Sequence, residues 1–234
     1  MPSHPLPELW VATLPRTDYA TGVALQERIR AGRQHGRVPD VLLLLEHDPV
    51  FTRGRRTQAA DLPMGEAWYR SQGFDVEDTD RGGRVTYHGP GQLVGYPIMG
   101  ITDVVEHVRT IERAVIAALA EEGVGAGVRE GLTGVWAGDR KIGSIGLHVQ
   151  RGVTTHGFSV NVDGDLQPWE WIVPCGIEGA RMTSILKETG NASMSCFRKR
   201  ASFQFATAFG LRQRLVSLDR ILQACGAGDL AGVA

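Results

Sequence analysis

One cysteine of the chain has the flanks of a nucleophile. Cys175 follows Pro174 and precedes Gly176. The proline restricts the backbone before the thiol, and the glycine leaves an uncovered amide N–H, the kind of donor that stabilises an oxyanion. Cys196 and Cys225 lack such neighbours, and an isolated cysteine is often only a small buried apolar residue. The residues therefore favour Cys175 as the nucleophile with Gly176 in support, and burial for the other two.

A thiol of this kind needs a base or a cation nearby. An unperturbed cysteine has a pKa of ~8.5, so only a small fraction is thiolate at neutral pH. Lys141 begins the apolar, glycine-rich segment KIGSIG, and burial there would favour its neutral, proton-accepting form. A solvated hairpin lysine is the alternative. His88 and His156 compete for the role, because Cys–His pairs are common in cysteine enzymes.

The segment Arg81–Gln92 has the composition of a ligand-binding loop. It contains four glycines, one proline, two arginines and a histidine in twelve residues. Glycine permits unusual backbone angles and lets a ligand approach the main chain, while arginine and histidine supply hydrogen-bond donors. A tight turn between strands is the alternative from composition alone. The spacing of a phosphate-binding P-loop is missing.

Helices and strands are predicted around these residues. A helix is expected from Thr17 or Asp18 to about Arg30, with Tyr19, Val23 and Ile29 on its inner face and a stop at Gly32. Another should begin at Thr102 or Asp103 and end at Gly123, because apolar residues recur on one face. These inner residues are Val104, Val108, Ile111, Val115 and Leu119. A third helical region is expected from Phe197 to Leu215, weakened by Gly210.

The strand predictions follow from different patterns. Val41–Glu46 is continuously apolar, as in a central strand buried on both faces. Val135–Val149 predicts a hairpin that turns at Ala137–Arg140, with Lys141 opening the returning strand. Thr154–Val162 has the period of two of a strand. Phe51–Met64 has no usable period and is predicted as a loop. The mixed order favours an α+β domain with a mixed sheet.

The overall composition narrows the class of protein. Hydrophobic residues make up 42% and charged residues 22% of the 234 residues, as in folded globular domains. With 25 Lys and Arg against 26 Asp and Glu, the net charge of -1 gives no support to general nucleic-acid or membrane-surface binding. The longest apolar run, Val41–Leu45, is too short for a bilayer, and Met1–Trp10 lacks the features of a secretory signal. Three cysteines without C-x-x-C spacing favour a reducing cytoplasm and no metal site.

Several segments together resemble one family. Arg81–Pro97 reads RGGRVTYHGPGQLVGYP and resembles the signature of the lipoyl(octanoyl) transferases. Further segments resemble that family's motifs in the same order along the chain: KIGSIG at Lys141–Gly146, TTHGFSVN at Thr154–Asn161, PCGI at Pro174–Ile177 and MTSI at Met182–Ile185. The resemblance covers about residues 40 to 186.

The resemblance implies a reaction and a site. It implies a single catalytic domain over residues 1–234, with the biotin/lipoate protein ligase type of fold and no cofactor. Cys175 would take octanoyl, or lipoyl, from acyl carrier protein as a thioester, with Lys141 as the base that keeps the thiol reactive. A lysine of a lipoyl domain would then receive it, either in the E2 subunits of 2-oxoacid dehydrogenases or in the glycine cleavage H protein. The implied substrate contacts are Arg81, Gly82, Gly83, Arg84, Val85, Thr86, Tyr87, His88, Ser144, Ile145, Gly146, Gly157, Phe158 and Ser159, with His156 in support.

Three other functions remain open from the sequence. An ATP-dependent lipoate protein ligase would share the fold, but would activate its acid with ATP and would not need Cys175. Transfer from one thioester to another needs no ATP, and no nucleotide motif is present. A cysteine thioesterase would release free octanoate even when an acceptor is present. A binding module without catalysis would leave Cys175 unacylated.

Two basic runs are candidates for docking an acidic carrier protein. Arg53, Arg55 and Arg56 stand in the segment after the buried strand Val41–Glu46, and a second run is Arg198–Arg200. The first run is favoured, because it needs little reach to flank the loop Arg81–His88. A solvated surface is the alternative for both runs.

Overall fold

The structure, a computed structural model, describes residues 6–174, 179 and 181–226. These residues form an α+β fold with two mixed sheets, in agreement with the predicted class. The helices are α1 (Tyr19–Gln34), α2 (Glu66–Ser71), α3 (Val104–Ala120), α4 (Ile185–Thr189), α5 (Met194–Ala208) and α6 (Leu218–Cys225). The strands are β1 (Glu8–Thr13), β2 (Asp40–Leu45), β3 (Val50–Arg53), β4 (Asp75–Asp78), β5 (Thr86–His88), β6 (Gln92–Ile98), β7 (Gly127–Arg129), β8 (Leu132–Ala137), β9 (Arg140–Gln150), β10 (Val153–Asn161), β11 (Arg181–Met182) and β12 (Arg212–Leu215).

Within the described residues the main sheet has the strand order β12-β1-β2-β6-β10-β9-β8-β7, with β11 beside β9. Strand β2 pairs with β1 in parallel and with β6 in antiparallel orientation, so it lies inside the sheet as predicted. Leu42 and Leu44 face the core under α3 and α5, while Val41, Leu43 and Leu45 face the core under α1 and α6. The continuous apolar run is therefore explained by burial on both faces.

A second, smaller sheet has the strand order β4-β3-β5. Its apolar side chains join Tyr69, Trp169 and Ile172 in a separate aromatic-rich core. Phe51, in β3, is fully buried there, with its ring centroid 4.9 Å from that of Tyr69. The predicted loop Phe51–Met64 is thus wrong at its start. Phe51 and Thr52 pair with both β4 and β5, and Arg53 pairs with β4.

Strand β10 has an unusual backbone conformation at His156. The φ angle there is +57, and the N–H of His156 donates to Oε1 of Gln26 in α1 (2.6 Å). The ladder between β10 and β9 runs through this residue without a register shift, with His156 opposite Leu147. A positive φ is uncommon for a residue other than glycine. The bond to Gln26 ties this point of β10 to helix α1.

Helix α1 begins where the sequence predicts and ends later. The Asp18 side chain accepts the N–H of Thr21 (2.8 Å), which caps the first turn. The predicted stop at Gly32 is wrong, because the helix continues through it to Gln34. A Cβ at Gly32 would lie 2.6 Å from Sγ of Cys225 in α6. Gly32 is therefore a point of close packing between helices.

The other two helical predictions are also right only in part. Asp103 caps α3, and Ile111 is fully buried, as expected. Val104 is 46% exposed, so its predicted inner position is wrong. The C-terminal helix stops before Gly210, where φ is +64, and the chain continues as β12. Leu215 therefore lies on a strand, and 73% of it is exposed.

No helix of the described residues combines the length and the apolar character needed to cross a bilayer.

Candidate active site

A cavity of about 620 Å³ is lined by residues from both sheets. Its lining includes most of the residues predicted from the sequence: Arg81, Gly82, Gly83, Arg84, Thr86, His88, Lys141, Ser144, Ile145, Gly146, His156, Gly157, Phe158 and Ser159. Its volume is within the range of small-molecule sites.

Val85 and Tyr87 lie on the opposite side from the cavity. Both are buried in the core of the small sheet, with Phe51 and Trp169. Successive side chains of a strand point to opposite faces, so Thr86 and His88 face the cavity while Tyr87 faces away. We therefore remove Val85 and Tyr87 from the predicted substrate contacts.

The side chain of Lys141 is buried and lines one part of the cavity. It is 2% exposed. Its Nζ donates to the carbonyl oxygen of Thr133 (3.2 Å) and lies 5.6 Å from the centroid of the Trp136 ring. A register shift in the β8–β9 ladder between Val135 and Trp136 occurs directly opposite this lysine. The hairpin lysine of the sequence is therefore buried, and the solvated alternative does not describe it.

Cys175 and Gly176 lie outside the described residues, but the chain on both sides of them is fixed. Before them, Val173 donates its N–H to the carbonyl of Asp61 (3.0 Å), and the Asp61 carboxylate binds Arg84 at the cavity (2.9 Å). After them, Met182 pairs with Lys141 in the parallel ladder of β11 and β9. Both described flanks of Cys175 are thus tied to residues that line the cavity.

A directed chain of hydrogen bonds fixes the tautomer of His88. Asn161 Nδ2 donates to the Thr183 carbonyl (3.0 Å), so Asn161 Oδ1 accepts from Gln92 Nε2 (3.0 Å). Gln92 Oε1 then accepts from Nδ1 of His88 (2.6 Å). Nε2 is left as the acceptor nitrogen of the His88 ring. Burial lowers the pKa of His88 to about 3, so this imidazole is neutral at neutral pH.

His156 is held by a carboxylate at the same cavity. Its Nε2 lies 2.7 Å from Oδ1 of Asp80, and the other carboxylate oxygen lies 3.3 Å from Nε2 of His148. The hydrogen bond from His156 holds the pKa of Asp80 below its usual value. Nε2 of His156 is thereby engaged by Asp80, which leaves Nδ1 as the ring nitrogen for any other partner.

Two hydroxyl groups at the cavity are available to a ligand. Ser144 Oγ and Thr86 Oγ1 are buried and make no hydrogen bond within residues 6–174, 179 and 181–226. Buried hydroxyls are rarely left without a partner. A bound acyl group with a carbonyl oxygen would supply one. Within the described part of the chain, no cluster of three or more His, Cys, Asp or Glu side chains is placed to hold a metal ion.

Three glycines, Gly143 and Gly146 in β9 and Gly157 in β10, differ in what occupies the space of a side chain. A Cβ at Gly143 would meet Val135 (3.3 Å), in the core, and one at Gly157 would lie 2.1 Å from the carbonyl oxygen of Gly95. A Cβ at Gly146 would lie 3.0 Å from the carbonyl oxygen of Gly82, in the cavity-lining loop. Gly143 and Gly157 are therefore explained by packing inside the sheet and its core, and Gly146 by the close approach of the cavity-lining loop.

Comparisons with known proteins agree with this arrangement. The lipoyl protein ligase A/B catalytic domain, as a sequence family, matches residues 18–206. The chain belongs to this family. The octanoyltransferase of Solibacter usitatus is 44% identical over 200 residues, which cover 84% of this chain and 90% of that protein. The octanoyltransferase of Mycolicibacterium smegmatis is 47% identical over 189 residues, with coverages of 77% and 79%.

Solved structures of the lipoyl protein ligase A/B family share the fold. A lipoate-protein ligase A bound with ATP has a TM-score of 0.72 and 19% identity, with 93% of each chain covered. The bi-partite lipoate protein ligase from Thermoplasma acidophilum has a TM-score of 0.69 and 17% identity, with 94% of this chain and 91% of that chain covered. The expected lipoate-ligase type of fold is thereby confirmed.

Other residues line the cavity that were not predicted as substrate contacts: Tyr19, Arg56, Gln58, Val94, Tyr96, Val104, Val108, Gly131, Leu132, Thr133 and Leu147. Tyr96 and Val94 share one face of β6, so an alternation pattern in GQLVGYP was a usable signal. Leu132 and Thr133 reach the site only because β8 pairs with the strand of Lys141. No local pattern indicates such a position.

The glycine loop, Arg81–Arg84, is held in place by backbone hydrogen bonds from the chain directly after β3. Arg55 and Arg56 donate their N–H groups to the carbonyls of Arg81 (3.1 Å) and Gly83 (3.0 Å). A Cβ at Gly54 would lie 2.6 Å from the Gly83 carbonyl oxygen. Gly54 therefore permits the close approach of the two segments.

Gly54→Ala is expected to lower the free energy of unfolding by about 1–3 kcal/mol, because backbone must move to admit the methyl group. Displacement of the loop should also weaken binding of the acyl donor. Urea unfolding and the KM for an octanoyl thioester measure the two effects. Gly125→Ala is the control, because a Cβ there meets nothing within 4 Å. Equal unfolding energies for the two variants would contradict the packing argument.

Proposed function

We propose that this chain transfers an octanoyl group from octanoyl-acyl carrier protein to a lysine of a lipoyl domain through a thioester on Cys175. The observation that carries the proposal is the position of Lys141. Its side chain is buried at the cavity, and its backbone pairs with Met182 of β11, in the first described segment of β structure after Cys175. The 44% identity to an octanoyltransferase over most of both chains supports this reaction. Lipoyl domains in general are the acceptors that the family supports; the E2 subunits and the H protein are the specific ones we propose.

The two steps of the reaction balance without a cofactor. The Cys175 thiolate attacks the carbonyl carbon of the octanoyl thioester, the bond to the carrier sulfur breaks, and the carrier leaves as a thiol after gaining a proton. The acceptor lysine amine, in its neutral form, then attacks the enzyme thioester and the bond to the Cys175 sulfur breaks. The proton that the amine loses passes through Lys141 to the Cys175 thiolate, so the amide forms and the Cys175 thiol is restored. Lys141 accepts the proton of the Cys175 thiol before attack and supplies it to the carrier sulfur.

The neutral state of His88 supports Lys141 rather than His88 in this role. A Cys–His ion pair needs an imidazolium, and the low pKa of His88 opposes its protonation. His88 is better suited to accept a hydrogen bond through Nε2. The hydroxyls of Ser144 and Thr86 are the proposed partners of polar atoms of the acyl group.

Intact-mass spectrometry of the protein mixed with octanoyl-acyl carrier protein tests the proposal. The expected result is one octanoyl group on Cys175, followed by its disappearance and octanoylation of an added lipoyl domain without ATP. Transfer that requires ATP and octanoate would indicate a ligase. Free octanoate in the presence of acceptor would indicate a thioesterase, and an unmodified Cys175 would contradict catalysis through this residue.

The two basic runs differ in how their charges are used. Arg53 binds Asp78 (2.7 Å) and Glu66 (2.8 Å). Arg55 and Arg56 are exposed, and Arg56 lines the cavity. In the second run, Arg198 pairs with Glu46 (3.2 Å), and Arg200 pairs with Glu121 and Glu122. We therefore propose Arg55 and Arg56 as the docking charges for an acidic carrier protein.

Arg55→Glu/Arg56→Glu is expected to raise the KM for octanoyl-acyl carrier protein roughly tenfold at low salt and to flatten its salt dependence, because long-range attraction speeds encounter. Transfer from a small octanoyl thioester should change little. Lys199→Glu, an exposed charge of the second run, is the control. Rates that fall in proportion for both donors would mean that these arginines act in the acyl site or the fold instead.

A cytoplasmic location is part of the proposal. Its support is the cysteine content, which is not typical of a disulfide framework. Cys196 and Cys225 are free thiols in the structure.

A further inference from the structure

A buried carboxylate on helix α3 bonds to the part of strand β8 that contacts the side chain of Lys141. Glu112 is 1% exposed, and its Oε1 accepts the backbone N–H of Gly134 (3.0 Å). Its Oε2 accepts from Nη1 of Arg109 (2.7 Å), which is about half exposed. A carboxylate in this position loses its hydration and is retained only with such partners. The first of these partners, the N–H of Gly134, is a backbone group of β8 next to the proposed active site.

Thr133 and Gly134 of β8 lie directly against the end of the lysine side chain. A Cβ at Gly134 would lie 2.8 Å from Cε and 3.2 Å from Nζ of Lys141. The preceding carbonyl, that of Thr133, accepts a hydrogen bond from Nζ (3.2 Å). Thr133 and Gly134 are therefore two of the contacts that set the position of the lysine nitrogen.

The strand ladder does not by itself hold this point of the chain. The β8–β9 register shifts between Val135 and Trp136, immediately after Gly134. Gly134 has φ +125, a backbone conformation that suits glycine. Its N–H is directed to Glu112 on a helix. The carboxylate thus supplies the anchor at the place where the β ladder is irregular.

We propose that Glu112 is a positioning residue for Lys141: by binding the Gly134 N–H it holds the Thr133 carbonyl against the lysine amine. The inference rests on the proposed function, in which Lys141 is the base for Cys175. A hydrogen bond to a fixed carbonyl limits the rotation of the lysine amine about its Cε–Nζ bond. Without the anchor at Gly134, the Thr133 carbonyl could shift and this constraint on the amine would be lost.

The test uses the rate at which iodoacetamide alkylates Cys175 as a function of pH, in a chain with Cys196→Ala and Cys225→Ala. Glu112→Ala should slow alkylation at neutral pH about tenfold and move the half-maximal rate to higher pH. Glu112→Gln keeps an Oε1 acceptor for Gly134 and should restore both to within about threefold. Glu112→Asp keeps the charge but is one methylene too short, and should behave like alanine.

A matched control separates positioning from a general effect on the fold. Glu122, just after α3, also pairs with an arginine, Arg200, but does not line the cavity. Glu122→Ala should leave the pH profile of alkylation unchanged. A wild-type pH profile for Glu112→Ala would overturn the proposal. So would a lower rate in Glu112→Ala without a shift of the pH profile, or a Glu112→Gln variant that is as defective as Glu112→Ala. Where Glu112→Ala does not fold, the comparison of Asp with Gln decides.

Lys141→Ala, measured beside these variants, distinguishes the two levels of inference. An unchanged pH profile in Lys141→Ala would contradict the proposed Cys–Lys pair, whatever Glu112 does. A shifted profile in Lys141→Ala with an unshifted one in Glu112→Ala and Glu112→Asp would leave the proposed function standing and overturn only the positioning role.

Discussion

Replacement of Cys175 by alanine is expected to abolish both the octanoyl-enzyme thioester and transfer to lipoyl domains. No other group takes over the attack, because the thiol is the atom that carries the acyl group between donor and acceptor in the proposed reaction. The loss should exceed ~10³-fold, as for the removal of other covalent nucleophiles. Intact mass reports the thioester, and mass spectrometry of an added lipoyl domain reports transfer.

Cys196→Ala and Cys225→Ala are the matched controls for this experiment. Cys196 is exposed on α5, and Cys225 is buried against Gly32, where it packs α6 on α1. Both variants should keep acylation and transfer. Octanoyl found on either of these cysteines, or full activity of Cys175→Ala, would remove Cys175 from the mechanism.

Lys141→Ala is expected to slow acyl-enzyme formation by ~10² to 10⁴-fold, the usual contribution of a general base. Lys141→Arg should be nearly as slow, because arginine keeps the charge but does not release a proton near neutral pH. The loss should diminish as pH rises, because hydroxide then removes the proton from the thiol. Single-turnover acylation between pH 6 and 9 measures this dependence.

His88→Gln is the informative companion of the lysine variants. A glutamine keeps a side-chain acceptor, and the low pKa of His88 means that this ring does not titrate between pH 6 and 9. The variant should therefore alter the level of activity but not the shape of its pH profile. If Lys141→Arg turned over like the wild type while His88→Ala or His156→Ala did not, a Cys–His pair would replace the Cys–Lys pair.

Features with a local signal were predictable from the sequence. The apolar run of β2 needed both faces covered, and the Asp18 and Asp103 caps satisfy N–H groups within three residues. The glycine loop and the lysine segment were visible because their compositions are unusual. For such features the sequence neighbourhood and the physical environment largely coincide.

Features that depend on distant parts of the chain were not predictable in this way. Glu112 follows Ile111 on α3, and its sequence position does not distinguish a buried carboxylate from one on a solvated helix face. His156 has a positive φ and donates its N–H to Gln26, 130 residues earlier in the chain. Val85 and Tyr87 were assigned to the ligand because they stand within a motif, although the pleat of a short strand turns them away. Tertiary pairing decides all of these.

The glycine loop at Arg81–Arg84 has a consequence for inhibitors of this site. Gly82 donates its N–H to Leu147 (2.9 Å), Gly83 has φ +94, and Gly54 has no room for a methyl group. An inhibitor that binds the main chain of this loop would therefore contact atoms that a point mutation cannot change without also disturbing the fold. Resistance mutations would then have to change Ser144 or another side chain that lines the cavity. Inhibitors that make no contact with those side chains would be less sensitive to such mutations.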